Sequence, residues 1–188
     1  MKLLIDAGCN KLQGFSKLKN IESIADNDQK IFIEANPECW DLLEKNISAI
    51  PNSIFIKKAL STEIKETQLI TRGDLKSDTA ATILDKKFLE DSLNRWNIRV
   101  PNYVEYTINT TTVKEILESQ KNTKFDCVIL KLDIEGMEYD VLRQIIDENI
   151  FVDKIYCEFH VHSSKEDDLK IKLIRELQDK GIQILNWD

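Results

Sequence analysis

The sequence predicts an α/β fold with a doubly wound, mostly parallel sheet and helices on both faces. Short apolar segments typical of buried strands alternate along the chain with segments whose apolar residues recur at helical spacing. Strands that alternate with helices pair in parallel through right-handed crossovers. The length of 188 residues is that of one domain with its own core. We therefore predict a single domain over residues 1–188.

The first half of the chain reads strand, helix, strand, helix, strand. The first helix is predicted from apolar residues at three-residue steps between Phe15 and Ile24. Asn36 and Pro37 are an N-cap and a first-turn proline, which predict the start of the second helix. The predicted strands of this half are 2–7, 30–35 and 53–60.

The second half repeats the alternation. Thr112 and Glu115 form a capping box before one helix. Ser163 and Glu166 form another before the last helix, which ends near Gly181. The predicted strands of this half are 125–133, 154–162 and 182–187, with a further helix after the first of them.

Between residues 61 and 102 the periodicity fails. Only a short strand near 68–71 and a helix near 87–96 are predicted there. We interpret this stretch as an irregular insertion or lid that belongs to the same domain.

Composition and charge limit the classes of binding partner and the cellular compartments that we expect for this protein. The formal net charge of -7 disfavours a large nucleic-acid interface, because phosphate binding draws on clustered Lys and Arg. No apolar run approaches the roughly 20 residues that span a bilayer, and no signal-peptide pattern opens the chain. The four cysteines are widely spaced without a C-x-x-C motif, so we expect buried free thiols. We predict a cytoplasmic protein with small-molecule or protein partners.

An abrupt turn follows the first predicted strand in the stretch LLIDAGCNKLQGF, residues 3–15. In a doubly wound sheet ligands bind at the carboxyl ends of the strands, and Gly8 would let the backbone approach a cofactor closely. A dinucleotide fingerprint has glycine where Asn10 stands, and Gly14 comes one position too late for it. The pattern therefore disfavours a pyrophosphate.

Two carboxylates at strand ends indicate a different cofactor. Asp6 would repel a phosphate, but it can lie near a cationic amino-acid headgroup. Glu34 comes about 20 residues after Gly14, where an acidic side chain can accept hydrogen bonds from both ribose hydroxyls. Each residue alone is compatible with an ordinary turn or a solvated strand edge. Together Asp6, Gly8 and Glu34 favour a nucleoside that carries an amino acid, which is S-adenosylmethionine.

A second polar group follows the strand predicted at 125–133. Lys131, Asp133 and Glu135 alternate onto one face as the strand ends, and Gly136 lets the chain turn into the next helix. Either these charges serve a ligand, or a salt bridge from Lys131 to a carboxylate fixes the turn.

The strand predicted at 154–162 would bring Glu158, His160 and His162 to one face through its period of two. A histidine there can accept a proton from a hydroxyl group, bind a metal together with carboxylates, or hydrogen-bond the backbone. The sequence leaves these three roles open, and we assign no metal ligand.

Four segments resemble the FkbM-type methyltransferases, a family of class I S-adenosylmethionine-dependent enzymes. They are IDAGCN at 5–10, IEANPECWDLLEKNI at 33–47, KKALS at 57–61 and LKLDIEGMEYDVL at 130–142. The last segment is similar to the family's K-x-D-x-E-G-x-E signature. The chain departs from the family pattern at Cys9, at Ala35 and Asn36, and at Lys11, which displaces the second glycine of the first turn.

The resemblance implies a Rossmann-like fold and a set of cofactor contacts. From the methyl group outward, the residues implied to contact the cofactor are Asp133, then Asp6, Gly8 and Asn10 at the methionine end, Glu34 at the ribose and Ala59 near the adenine. The helix that often covers the cofactor in class I enzymes has no counterpart ahead of the first strand. We therefore expect the 61–102 stretch, a homo-oligomer or a larger assembly to cover the acceptor site.

The reaction implied by the resemblance is O-methylation of a hydroxyl group on a sugar or small metabolite. Asp133, Glu135 and His160 are the predicted catalytic residues, with His160 or Asp133 as the proton acceptor. Two alternatives remain open. One is a catalytically idle nucleoside-binding module of a larger assembly. The other is a metal-dependent hydrolase or transferase whose ligands are Asp133, Glu135, Glu158 and His160.

Overall fold

The computed structural model describes residues 1–72, 81–94, 102–160 and 164–187. Its elements in chain order are β1 (Lys2–Ala7), α1 (Phe15–Ile21), β2 (Gln29–Ile33), α2 (Pro37–Ile47), β3 (Ser53–Ile56), β4 (Ala59–Leu60), β5 (Glu66–Arg72), β6 (Ala81–Thr82), α3 (Lys86–Asn94), β7 (Tyr103–Thr111), α4 (Val113–Ser119), β8 (Cys127–Leu132), α5 (Glu138–Asp147), β9 (Lys154–Cys157), α6 (Ser164–Asp179) and β10 (Gln183–Asn186).

Six strands form one parallel sheet in the order β10-β9-β8-β1-β2-β3. The chain moves outward from β1 to β3 on one side and later places β8 on the other side of β1. The strand order therefore reverses between β1 and β8, which is the switch point where doubly wound sheets bind their ligands. The predicted fold class is confirmed.

Helices cover both faces of this sheet. Leu3 and Ile5 of β1 belong to one hydrophobic core with side chains of α4, α5 and α6. Leu4 belongs to a second core with side chains of α1 and α2. All three leucine and isoleucine side chains are fully buried. The central strand is thus apolar on both faces, as a parallel strand between two helical layers must be.

The predicted helix caps are present where the chain is described. Oδ1 of Asn36 accepts a hydrogen bond from the N–H of Glu38, and Oγ1 of Thr112 accepts one from the N–H of Glu115, each at 3.0 Å. Gly181 follows α6 with a φ of +79°, which confirms its position after the helix end. The cap predicted at Ser163 lies outside the described residues.

A second sheet has the strand order β4-β7-β5-β6. The single strand predicted over 53–60 is wrong: β3 stays in the parallel sheet, whereas β4 pairs with β7. The division falls at Lys57 and Lys58, whose ammonium groups reach Glu44 and Glu115. The strand β7 was not predicted, although β-branched and aromatic residues are frequent in its sequence YVEYTINTT.

The segment after β9 also differs from the prediction. The strand expected over 154–162 ends at Cys157. The N–H of Glu158 still donates to the carbonyl of Leu132 at 2.9 Å, so the chain stays beside β8 for one more residue. Glu158 and His160 therefore occupy a loop at the end of the sheet, and His162 lies outside the described residues.

Two smaller expectations can be compared with the structure. The four cysteines, all within the described residues, are free thiols, and Cys9, Cys39 and Cys157 are buried. Across the described ranges, no helix combines the length and the apolar character that a membrane crossing requires.

Candidate cofactor and active site

A cleft opens at the carboxyl ends of β1, β2 and β8, beside the switch point. Its wall includes five predicted cofactor residues, which are Gly8, Asn10, Glu34, Ala59 and Asp133. Two predicted catalytic residues, Asp133 and Glu135, are also in this wall. The lining also includes the charged side chain of Lys58 and apolar side chains, among them Ile33, Leu60, Leu69 and Ile83. Of the predicted cofactor residues, Asp6 alone is not part of this wall. The fold thus brings together residues that are distant in sequence.

The first turn depends on Gly8. Its φ of +71° lies in the left-handed region, which costs a residue with a β-carbon roughly 1–2 kcal/mol. A β-carbon here would also lie 1.7 Å from the carbonyl oxygen of Asp133. We expected Gly8 to leave room for a cofactor. The structure shows that Gly8 leaves room for the backbone of the turn after β8; Gly8 also lines the cleft, and the close approach of a cofactor to it stays a prediction.

Glu34 supports the first turn from the end of β2. Its Oε2 accepts a hydrogen bond from the N–H of Asn10 and its Oε1 accepts one from the N–H of Asn36, both at 2.8 Å. Burial raises the pKa of Glu34, and these two hydrogen bonds oppose the increase. A carboxylate oxygen can accept more than one hydrogen bond. Both oxygens therefore keep acceptor capacity for hydroxyl groups in the cleft.

A buried ion pair lies beneath the first turn. The Lys131 ammonium lies 3.2 Å from Oδ1 of Asp6 and 3.3 Å from Oδ2 of Asp133, and it donates to the carbonyl of Gly8 at 3.0 Å. Burial lowers the pKa of Lys131, but the charges of Asp6 and Asp133 outweigh this effect and raise it. The salt bridge considered as an alternative role for Lys131 is therefore present. The contact of Asp6 with a cofactor headgroup stays a prediction, because Asp6 is buried against Lys131.

The second turn, residues 133–136, carries the predicted catalytic carboxylates. Glu135 has a φ of +53° and Gly136 a φ of +108°, and such conformations persist where the surroundings enforce them. Glu138 enforces this one. It is fully buried, and its two oxygens accept the N–H groups of Ile134 and Gly136, each at 2.9 Å. Sequence reasoning assigned no role to Glu138, although it is the last glutamate of the K-x-D-x-E-G-x-E signature.

His160 lies between two carboxylates of this region. Its Nδ1 is 3.0 Å from Oε1 of Glu138, and its Nε2 is 3.3 Å from Oε2 of Glu135. Burial lowers the pKa of His160, but the hydrogen bond and the charge of Glu138 outweigh burial and raise the pKa to about 10. Burial also raises the pKa of Glu135, to about 7. The ring is therefore charged at neutral pH, and it must lose a proton before it can act as the predicted base.

Residues 81–94 lie over the second turn. Oγ1 of Thr82 donates a hydrogen bond to the carbonyl of Glu135 at 2.8 Å. A β-carbon at Gly136 would lie 2.5 Å from the ring of Phe88 and 2.6 Å from the side chain of Leu84. This segment therefore fixes the outer side of the turn, whereas Glu138 fixes its inner side.

The fold and the cleft define a class of protein. Three features meet at the switch point: a glycine turn after β1, an acidic residue after β2 and a turn with carboxylates after β8. Class I, Rossmann-like methyltransferases have this arrangement. A model of the methyltransferase FkbM domain matches residues 7–184, and the chain belongs to this family. The resemblance to the FkbM-type methyltransferases is confirmed. Comparisons with curated proteins and with solved structures gave no match.

Proposed function

We propose that this methyltransferase domain transfers the methyl group of S-adenosylmethionine to a hydroxyl group of a sugar or small metabolite. One observation carries the proposal. A single cleft joins the residues predicted for the nucleoside, Glu34 and Ala59, to the carboxylates of Asp133 and Glu135. Cofactor and acceptor would meet at that point, and transfer depends above all on holding two reactants in line.

The residues of the cleft suit this cofactor. Glu34 offers acceptor capacity on both oxygens to two adjacent ribose hydroxyls. The apolar wall beside Ala59, formed by Leu60 and Leu69, suits the face of an adenine ring. Asp133 and Glu135 add negative charge where the sulfonium cation of the cofactor would lie, which favours binding by Coulomb attraction.

The bound cofactor would supply an activated methyl group, and the chain's own residues would supply placement. Lys131 holds Oδ2 of Asp133 at 3.3 Å and so fixes that carboxylate at the end of β8. Of the two predicted proton acceptors, Asp133 is favoured over His160, because the histidine ring already carries its proton at neutral pH.

The acceptor side belongs, in this proposal, to the insertion or lid at about 61–102. Support comes from α3, whose Phe88 packs over Gly136 directly beside Glu135. An adjoining surface depression is lined by apolar and charged side chains of the same segment, including Leu84, Asp85 and Lys87. Such mixed walls suit a sugar, which presents both apolar faces and hydroxyl groups.

The net charge and the free cysteines support the proposed acceptor class and cellular compartment. The formal net charge of -7 supports a small-molecule or carbohydrate acceptor over nucleic acid. Four free thiols are compatible with a reducing, cytoplasmic compartment. A homo-oligomer or a larger assembly that completes the cover of the cleft is part of the proposal.

Calorimetric titration with S-adenosylmethionine tests the cofactor. We expect one molecule to bind per chain, and S-adenosylhomocysteine to compete for the same site. An absence of binding at millimolar cofactor would overturn the proposal. Transfer of a labelled methyl group to a panel of sugars and small alcohols then separates an active enzyme from an idle nucleoside-binding module.

Glu34→Ala should weaken cofactor binding by about 1.5–3 kcal/mol, the scale of hydrogen bonds to a charged group. The substitution should also lower the free energy of unfolding, because the N–H groups of Asn10 and Asn36 lose their acceptor. Calorimetry and urea unfolding measure the two effects separately. Glu118→Ala, an exposed change on α4, is the matched control and should alter neither quantity by more than about 0.5 kcal/mol. Unchanged affinity in Glu34→Ala would move the ribose elsewhere.

A further inference from the structure

A mixed group of carboxylates and one imidazole lies at the outer end of the cleft. One ligand atom from each of Asp133, Glu158 and His160 lies within 4.8 Å of the other two. Metal–ligand distances of roughly 2.0–2.2 Å place the ligand atoms of one cation about 3–4 Å apart. The Glu158 side chain is 44% exposed and can rotate, so an inward movement of about 1 Å gives that spacing. The group is therefore close to the geometry of a cation site without any change of backbone.

Glu138 orients the imidazole toward this group. Nδ1 of His160 faces the carboxylate of Glu138 at 3.0 Å, which leaves Nε2 on the opposite side of the ring. Nε2 is 3.3 Å from Oε2 of Glu135 and 4.0 Å from Oε1 of Glu158. A buried carboxylate that holds one ring nitrogen and directs the other outward is the usual outer partner of a metal-binding histidine. Because Glu138 is also held by two backbone N–H groups, the ring direction is set by the fold.

Negative charge exceeds positive charge around this point. The carboxylates near the ring come from the second turn, from α5 and from the loop after β9: Asp133, Glu135, Glu138 and Glu158. The neighbouring ammonium of Lys131 is shared between Asp133 and Asp6. Charges that are partly buried attract a divalent cation more strongly than the same charges in water. Two oxygen donors and one imidazole nitrogen suit a first-row divalent cation such as Mn²⁺.

We propose that Asp133, Glu158 and His160 bind one divalent first-row cation, and that adjacent hydroxyl groups of the methyl acceptor complete its coordination. The cation site is inferred from the geometry alone, whereas its coordination by hydroxyl groups of the methyl acceptor rests on the proposed function. The cation takes the place on Nε2 that a proton holds in its absence. Three protein ligands leave about three positions open on a six-coordinate cation, which is enough for two neighbouring sugar hydroxyls and a water.

This placement gives the acceptor a defined position. Asp133 lines the cofactor cleft and is also a member of the cation group. A hydroxyl group bound to the cation would therefore lie at the boundary between the cleft and the loop after β9. Acceptors with two adjacent hydroxyls should be preferred over those with one, because two oxygens bound to the same cation hold the acceptor in a single orientation.

The test is calorimetric titration of Mn²⁺ alone into the full chain after removal of metals with a chelator. We expect one cation per chain. Glu158→Gln and His160→Ala should each weaken Mn²⁺ binding at least about tenfold, and Glu138→Gln should weaken it about 10- to 100-fold through loss of the ring orientation. Glu118→Gln, an exposed change on α4, is the matched control and should leave the affinity unchanged.

Two results would overturn the inference: no stoichiometric binding at about 1 mM Mn²⁺, or wild-type affinity in both Glu158→Gln and His160→Ala. Glu158 is partly exposed, so its variant should keep the wild-type unfolding curve even if a change at His160 perturbs the fold. Titration of S-adenosylmethionine into the same metal-free protein separates the two proposals. Cofactor binding without Mn²⁺ binding overturns the cation site and keeps the proposed function. Mn²⁺ binding without cofactor binding overturns the proposed function, and with it the acceptor half of this inference, but keeps the cation site.

Discussion

Gly8→Ala should abolish cofactor binding and lower the free energy of unfolding by about 2–5 kcal/mol. Part of this loss is the left-handed backbone at a φ of +71°, which costs an alanine roughly 1–2 kcal/mol. The larger part is steric, because the new β-carbon would lie 1.7 Å from the carbonyl oxygen of Asp133. Overpacking of this kind typically costs 1–3 kcal/mol. The obstacle is backbone, so the two turns must separate, and the cleft between them loses its shape.

Gly181→Ala is the matched control for this prediction. Gly181 has a φ of +79°, and among the described residues no heavy atom beyond its own and its chain neighbours' lies within 4 Å of the β-carbon that alanine would add. It should therefore show only the backbone cost of roughly 1–2 kcal/mol and keep full cofactor affinity. Urea unfolding and calorimetry on both variants measure the difference. Equal losses in the two variants would mean that contact between the first and second turns does not matter for the site.

The elements that could be predicted from sequence are those whose signal is local. Strand β1 is apolar on both faces, and Asn36 and Pro37 mark the start of α2 through their own side chains. The division of 53–60 and the strand β7 could not be found in this way. The strands β4, β5 and β7 form by pairing with one another across long stretches of the chain. A local pattern of β-branched residues can indicate a strand, but it does not indicate which strand it pairs with.

The residues of the candidate site also differ in whether a local sequence signal could identify them. Glu34 was found because its distance from the first turn follows from the length of one strand–helix–strand unit. The link between Glu138 and His160 joins the first residue of α5 to the loop after β9, and only the fold brings the two side chains to 3.0 Å. The charge state of His160 depends on that contact. A role assigned to an isolated histidine in the sequence therefore omits the carboxylate that determines what the ring can do.

Lys131→Met should lower the free energy of unfolding by about 3–5 kcal/mol, the usual result of removing one partner from a buried ion pair. The Lys131 side chain is 3% exposed and that of Asp6 is 1% exposed. The two groups lie 3.2 Å apart, yet no donor within the described residues is aligned with Oδ1 of Asp6. The interaction is therefore mainly electrostatic, and a methionine of similar length would leave Asp6 buried without a counter-charge.

The double variant Asp6→Leu/Lys131→Met provides the control for packing. Replacement of a whole buried ion pair by apolar residues of similar volume is often close to neutral. We therefore expect the double variant to recover most of the stability that Lys131→Met loses in urea unfolding. A double variant as unstable as the single one would show that Lys131 acts through the Gly8 carbonyl, at 3.0 Å, or through Asp133, at 3.3 Å, and not through Asp6.

The loss in Lys131→Met should also depend on pH through Asp6. Burial raises the pKa of Asp6 in the wild-type protein, and removal of the Lys131 ammonium should raise it further. A carboxyl group whose pKa is higher in the folded than in the unfolded state favours folding at low pH, and this contribution is lost as pH rises through the folded-state pKa. The stability difference between wild type and Lys131→Met should therefore be smallest near about pH 5 and should grow toward about pH 8. Unfolding curves at the two pH values measure it, and a difference that stays constant would mean that Asp6 does not carry the buried charge on which this account depends.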